Sequence, residues 1–190
     1  MSIIWLAGSS ATGKSTVLKN VFNSLGTPKL HRCKSEKYAY NIRCYCIENT
    51  LTVGKEIGLT LAGLDGTMIG IEKFNNFLKT EYSNWSHIIL DGNKFIDREL
   101  MHRHLIDGKF EYKVYYFCPP LEEILIRSEK RNNGNDIRFA KNINLRKRQI
   151  EKYENIYQNE EYKKNIFKRE NLNMEESNKI TEEILCIING

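Results

Sequence analysis

The stretch Ile3-Ile4-Trp5-Leu6-Ala7-Gly8-Ser9-Ser10-Ala11-Thr12-Gly13-Lys14-Ser15 decides the fold. Its first five residues are a continuous apolar run closed by glycine, the pattern of a short strand buried on both faces of a parallel sheet. The next eight fit G-x-x-x-x-G-K-[ST], and Thr16 to Leu25 reads as a helix ended by Gly26. Strand, glycine-bearing loop and helix in that order make an anion cradle. The glycines let the backbone wrap, so successive N–H groups and the helix N-terminus point at phosphates. In such a loop Lys14 bridges the β- and γ-phosphates and Ser15 Oγ ligates Mg²⁺. Gly8, Ser9, Ser10, Ala11, Thr12, Gly13, Lys14 and Ser15 are therefore the expected nucleotide-binding residues, with Thr16 a second hydroxyl in the same turn. ATP and Mg²⁺ are the expected cofactors.

Working outward, His87 to Asp91 is a second buried strand that ends in an acid, where a carboxylate can hold Mg²⁺ directly or through water, or act as a base. The alternative for Asp91 is a helix-capping or turn aspartate in Asp-Gly. Lys113 to Cys118 is a third buried strand, stopped by Pro119-Pro120, which can open a helix over Leu121 to Arg131. Met68 to Tyr82 and Asp97 to Leu105 carry helical spacing, and Ile42 to Glu48 with Thr50 to Lys55 suggests a hairpin. A loop over residues 132–136 leads into a long basic helix over Ile137 to Tyr157. A last strand, Asn165 to Lys168, precedes a terminal helix from Met174 to Ile188. Strands alternating with helices predict an α/β domain with a mainly parallel sheet, spanning 1–190 as one unit.

Length and composition agree with that. The chain has 190 residues, 41% of them hydrophobic and 28% charged, enough to bury a core and unlike a disordered tail. No apolar run approaches the ~20 residues of a membrane helix, and no basic region precedes the first apolar stretch. The five cysteines (33, 44, 46, 118 and 186) show no framework spacing, so a cytoplasmic protein with reduced thiols is expected. The formal charge of +5 is concentrated. Between Arg127 and Lys152, nine cations face three acids, a net of +6 that leaves the rest of the chain at −1.

A GTPase reading fails on spacing. Asn93-Lys94-Phe95-Ile96-Asp97 places the aspartate one residue late for N-K-x-D, and no strand carries D-x-x-G. A small kinase fits better. Gly8 to Ser15, Ile88-Ile89-Leu90-Asp91-Gly92, and the run from Tyr115 through Pro119-Pro120-Leu121-Glu122-Glu123 to Arg127 and Arg131 together resemble one group. It is the P-loop kinase group that includes nucleoside-monophosphate, shikimate, gluconate and polynucleotide kinases. By element order the resemblance covers about three quarters of the chain. It implies a three-layer P-loop NTPase fold, nucleoside-monophosphate-kinase-like, with a short lid near 127–138. It also implies that Arg127 and Arg131, one helical turn apart, clamp nucleotide phosphates and the charge of the transferring phosphoryl group. The alternative for both is a solvated helix face.

The acceptor is less defined. Adenylate kinases continue Asp-Gly with Phe-Pro-Arg where this chain has Asn93-Lys94, and shikimate-like kinases place an acid pair where this chain offers only Glu36. Val53-Gly54-Lys55 and Ala62-Gly63-Leu64-Asp65-Gly66-Thr67, within an expected acceptor-binding insert over 27–67, are similar to a pattern in phage-type P-loop DNA kinases. Those act on the hydroxyl of 5-hydroxymethyluracil in DNA. Asp65 (or Asp91) would then orient the acceptor hydroxyl, although Asp-Gly also suits an ordinary turn. Arg138, Lys141, Arg146, Lys147, Arg148 and Lys152 could contact a nucleic-acid backbone, and Phe139, Tyr153 and Tyr157 could stack on bases. The alternative is a solvated helix with Phe139, Ile143, Ile150 and Tyr153 against the core. His31, Cys33, Cys44 and Cys46 are four potential zinc ligands without the usual C-x₂₋₄-C spacing, so buried free thiols are expected there. His102 and His104 look like incidental helix residues.

The sequence thus predicts a kinase, with a DNA hydroxyl as the leading acceptor and a free nucleoside, nucleotide or other small metabolite as the runner-up. A nucleotide-binding regulator or nucleic-acid-binding ATPase is the third reading. No membrane partner is expected, and no oligomeric state is specified.

Overall fold

The first strand, β1 (Ser2–Gly8), is buried at every position, which only a strand covered on both faces can be. The computed structural model of the protein describes residues 1–9, 11–33, 42–53, 70–131, 136–170 and 173–190. In it β1 lies inside a seven-stranded sheet with β2 (Lys29–Cys33), β3 (Ile42–Ile47), β4 (Thr50–Val53), β5 (His87–Asp91), β6 (Tyr112–Phe117) and β7 (Ile166–Arg169). The order is β2-β3-β4-β5-β1-β6-β7. The pairs from β4 to β7 are all parallel, and β2-β3-β4 is an antiparallel extension.

Strand periodicity sorts the core into two faces. Ile3, Trp5 and Ala7 of β1 join Ile88 and Leu90 of β5 and Val114 and Tyr116 of β6 on one side. Ile4 and Leu6 join Ile89, Tyr115 and Phe117 on the other. The first face is covered by α2 (Ile71–Tyr82), α3 (Glu99–Asp107) and α5 (Asp136–Tyr157), through Phe74, Phe77, Leu78, Met101, Leu105 and Tyr153. The short α6 (Glu160–Lys163) adds Tyr162 to it. The second face is covered by α1 (Lys14–Leu25) and α7 (Met174–Asn189), through Val17, Val21, Phe22, Ile180 and Ile184. Helices on both faces of a mostly parallel sheet give the α/β architecture expected. Full burial of each of these aliphatic side chains contributes about 1.5–3 kcal/mol.

Local chemistry places the helix ends. Asn173 caps α7, its side chain accepting from Glu176 N at 2.8 Å. Pro119-Pro120 precede α4 (Leu121–Arg131), whose Ile124 N donates to Pro120 O at 3.2 Å. Several elements differ from the sequence expectation, among them the short α6, which the sequence did not suggest. Helix α1 begins at Lys14, two residues early, because the glycine loop runs directly into it. Helix α3 begins at Glu99, because residues 93–97 form turns in which Phe95 adopts a φ of 72°. The ambiguous stretch after Thr27 contributes an edge strand, β2. Thus β2, β3 and β4, all from the expected acceptor insert, extend the main sheet. The expected lid over 127–138 includes the end of α4 and the start of α5. Residues 132–135 between them lie outside the described ones. Among the described residues, no helix is long and apolar enough to cross a membrane.

His102 is fully buried, between the Trp5 ring at 6.1 Å and the Tyr162 ring at 5.0 Å. Its Nε2 donates to Ile96 O at 2.9 Å, and burial pushes its pKa below the ordinary 6.5. Below that value an unfolded chain takes up a proton that the native one refuses, so stability declines with acidification. Urea midpoints measured from about pH 7 to about pH 5 should fall for the wild type and fall less steeply for His102→Gln. The slope that remains is assigned to His87, whose pKa burial also lowers.

Candidate active site

Chain direction places the site. From β1 the polypeptide crosses to the β4–β5 side, and from β5 it crosses back to β6. The strand order thus reverses beside β1, and the carboxyl ends of strands at such a switch point are where open α/β sheets bind ligands. Gly8 pairs in register with Phe117, and Leu6 with Asp91. The Gly8–Ser15 loop, Asp91 and the Cys118-Pro119 turn consequently share one sheet edge. Val53, the last residue of β4, pairs with Leu90, so β4 ends at that same edge.

Gly8 has a φ of +139°, and a Cβ there would lie 2.3 Å from the Phe117 carbonyl oxygen. No other residue fits without moving the backbone of β6. Ala11 and Gly13 have positive φ values of 66° and 95°, which fold the loop back on itself. Ala11 and Thr12 are buried, and Thr12 Oγ1 donates to Ser9 O at 2.8 Å. The Lys14 ammonium turns back over the loop, donating to Gly8 O at 2.7 Å and Ser9 O at 2.8 Å. Helix α1 has Gly13 at its N-cap, no side-chain cap and no acid in its first turn, so no carboxylate there offsets its positive end. Ser15 and Thr16 are exposed on that first turn. Ser10 lies outside the described residues.

These groups fit a polyphosphate. A close-packed glycine, backbone N–H groups at a helix start and one ammonium are the groups with which a loop binds anions. The Ser15 hydroxyl and the half-buried Asp91 carboxylate are oxygen ligands of the kind Mg²⁺ takes. Among the described residues no cluster of three or more His, Cys, Asp or Glu side chains could hold a metal. Mg²⁺ held by Ser15 and Asp91 would complete its shell with phosphate oxygens and water.

Arg127 is half-buried on α4 and forms an ion pair with Glu123, one turn earlier. A phosphate would have to compete with that carboxylate for the guanidinium. The side chain of Arg131 lies outside the described residues, as do Asp65 and the segments 54–55 and 62–67. Part of the basic stretch is turned away from solvent or paired. Arg146 is only 7% exposed, Lys152 pairs with Asp97 at 3.1 Å, and Tyr153 is buried edge-on against Tyr116 at 5.5 Å. Tyr153 belongs to the core and has no face for a base. Lys147 and Arg148 are exposed, and the Arg138 and Lys141 side chains are not among those described. Cys44 is a buried free thiol whose register partner is His31, and the His31 ring meets the Trp85 edge at 5.1 Å. Cys118, beside the loop, is half-buried, and burial pushes its thiol pKa up.

Sequence reasoning passed over three participants. Trp5 Nε1 donates to Gly92 O at 2.9 Å, Gly92 N donates to Leu6 O at 3.1 Å, and Gly8 N donates to Asn93 Oδ1 at 2.9 Å. A tryptophan inside a small aliphatic strand, directly before a glycine loop, was the available signal. No protein-family model matches the chain, and no curated protein is significantly similar to it.

The steric test of the loop is direct. Gly8→Ala should lower the urea unfolding free energy by about 1–3 kcal/mol, the cost of a side chain in a strained backbone region. It should also abolish nucleotide binding measured by calorimetry, because relief of the clash displaces the loop from Phe117.

Proposed function

We propose that this protein is an ATP-dependent phosphotransferase that moves the γ-phosphoryl group to a hydroxyl of a nucleic-acid acceptor, with 5-hydroxymethyluracil in DNA as the leading candidate. The observation that carries the reading is the glycine loop. A G-x-x-x-x-G-K-S segment leaves β1 with Gly8 locked against β6, turns through left-handed Ala11 and Gly13, and enters an uncapped helix. Loops of this kind hold nucleotide phosphates through backbone N–H groups and lysine.

The roles follow from position. Lys14 and the loop N–H groups hold the phosphates, and Ser15 and Asp91 would hold Mg²⁺, which supplies charge neutralisation between phosphate oxygens. Arg127 and Arg131 neutralise charge on the phosphoryl group in flight, Arg127 exchanging Glu123 for the phosphate. Asp65 or Asp91 orients the acceptor hydroxyl. Most of the rate enhancement would be positioning and electrostatics, since phosphoryl transfer needs little covalent help from the protein. The acceptor assignment rests on the resemblance of 53–55 and 62–67 to DNA kinases. The end of β4 at the same sheet edge as Asp91 also supports it.

A specific observation favours the second reading, a free nucleoside, nucleotide or other small metabolite. With Arg146 and Tyr153 buried and Lys152 paired, the long basic helix offers less to a polynucleotide than its composition promised. Incubation with γ-labelled ATP and parallel acceptors separates the readings. Label on hydroxymethylated DNA supports the first, label only on free nucleosides, nucleotides or metabolites the second, and phosphate release alone a nucleotide-binding ATPase. Lys14→Ala should abolish transfer to any acceptor, and retained transfer would remove the assignment of the loop.

Asp65 has its own test. Asp65→Asn should lower turnover by about 10²-fold or more, the usual contribution of a positioned general base, with ATP affinity unchanged. A near-normal rate would return Asp65 to an ordinary turn role.

A further inference from the structure

The loop that follows Asp91 is held more firmly than a connection between strand and helix requires. Gly92 and Phe95 both adopt left-handed backbone, with φ values of 142° and 72°, and for Phe95 that conformation is strained. Two buried ring N–H groups support the loop from the core. Trp5 Nε1 donates to Gly92 O and His102 Nε2 donates to Ile96 O, each at 2.9 Å. The two rings are stacked with only 18° between their planes. Within the loop Ile96 N donates to Asn93 O at 3.1 Å, and the Phe95 ring packs on Phe74 at 5.5 Å. This support presents to the glycine loop the Asn93 side chain, whose Oδ1 accepts the Gly8 N–H at 2.9 Å.

We propose that Asn93 is a positioning residue that fixes the spacing between the phosphate-binding loop and the strand end carrying Asp91. The inference rests on the nucleotide-binding reading given above. Its first physical consequence concerns donors. The Gly8 N–H is consumed by Asn93, so the anion-facing N–H groups begin after it. A backbone N–H pairs only with an acceptor, so the Asn93 amide is oriented with its oxygen toward Gly8 and its two N–H donors turned away. The second consequence concerns geometry. The last ladder pair joining β1 to β5 is Leu6 with Asp91, and beyond it the Asn93 bond, with that of Gly92 N to Leu6 O, ties the two segments together. Phosphates held by the loop and Mg²⁺ held by Asp91 must meet at a set distance, because Mg²⁺ tolerates little departure from octahedral geometry. Loss of Asn93 leaves both sets of ligands intact and loosens the spacing between them. Its signature is therefore lost cooperation between Mg²⁺ and ATP, more than lost ATP binding.

Calorimetric ATP titrations with and without Mg²⁺ test this on the folded full chain. The quantity read is the factor by which Mg²⁺ tightens ATP binding. Asn93→Ala and Asn93→Leu should each reduce that factor by about fivefold or more, the lower range of measured couplings between two ligands. Asn93→Asp, which keeps an acceptor for the Gly8 N–H, should preserve it. A factor within about twofold of wild type in both acceptor-less variants overturns the proposal, as does an Asp variant that behaves like Ala. Circular dichroism selects the variant that remains folded, and Trp5 and His102 hold the loop in either. Lys14→Ala separates the two levels of inference. Loss of ATP binding in Lys14→Ala with no Asn93 effect removes the positioning role alone. A wild type that binds no ATP removes both.

Discussion

The constraint on which the structure depends is the double-sided burial of β1. A strand with partners on both edges and helices on both faces has little room for polar side chains; Ser2 to Gly8 is buried throughout, and its one polar side chain, Ser2 at the start, is hydrogen-bonded with His87 at 2.9 Å. That demand makes the strand conspicuous and sends Ile3, Trp5 and Ala7 to one face and Ile4 and Leu6 to the other. It also sets the end of the strand so close to β6 that Gly8 must lack a Cβ. The geometry of the loop is inherited from the packing of the sheet.

The parts of the fold that were legible in the sequence are those where one physical signal dominates. Helix α4 matches its expected bounds because Pro119-Pro120 fixes its start, and β5 because an apolar run ends in an acid. The hairpin β3–β4 was legible in its two alternating runs around Glu48-Asn49, where Glu48 takes a φ of 49°. The strand β2 was not, because Lys29–Cys33 is an edge whose pairing depends on β3, and its own pattern is mostly polar. The late start of α3 escaped notice for a related reason. Asp97 was expected to open the helix, but residues 94–97 form turns, bracketed by the bonds of Trp5 to Gly92 and of His102 to Ile96, partners 87 and 6 residues apart in sequence.

For the site, the motif itself was readable, and the contacts that support it were not. Gly8 and Lys14 announce themselves by spacing, whereas Asn93 serves through a hydrogen bond to a residue 85 positions earlier. Charge was the weaker guide. The composition of Arg127 to Lys152 suggested one cationic surface, and the structure distributes it among several environments. Arg127 and Lys152 have carboxylate partners, Arg146 is buried, and Lys147 and Arg148 face water. Ion pairs such as Lys152 with Asp97 are exposed, and each adds about 1 kcal/mol at most. Their effect is to spend local charge that a polyanion would otherwise meet.

The parallel pairing of β1 with β5 and β6 has a consequence for the birth of the molecule. Ser2 pairs with His87, and Ile3 with Tyr112, so the strand's neighbours are synthesised long after it. The hairpin β3–β4 closes through a two-residue turn and can form early, whereas β1 must wait for partners across long loops, which slows folding. During translation an apolar strand with two open edges is therefore exposed for several seconds at ordinary synthesis rates, when misassociation competes with folding. The glycine loop gains its final shape only when Phe117 arrives. That loop is thus among the earlier segments to be made and among the later ones to be built.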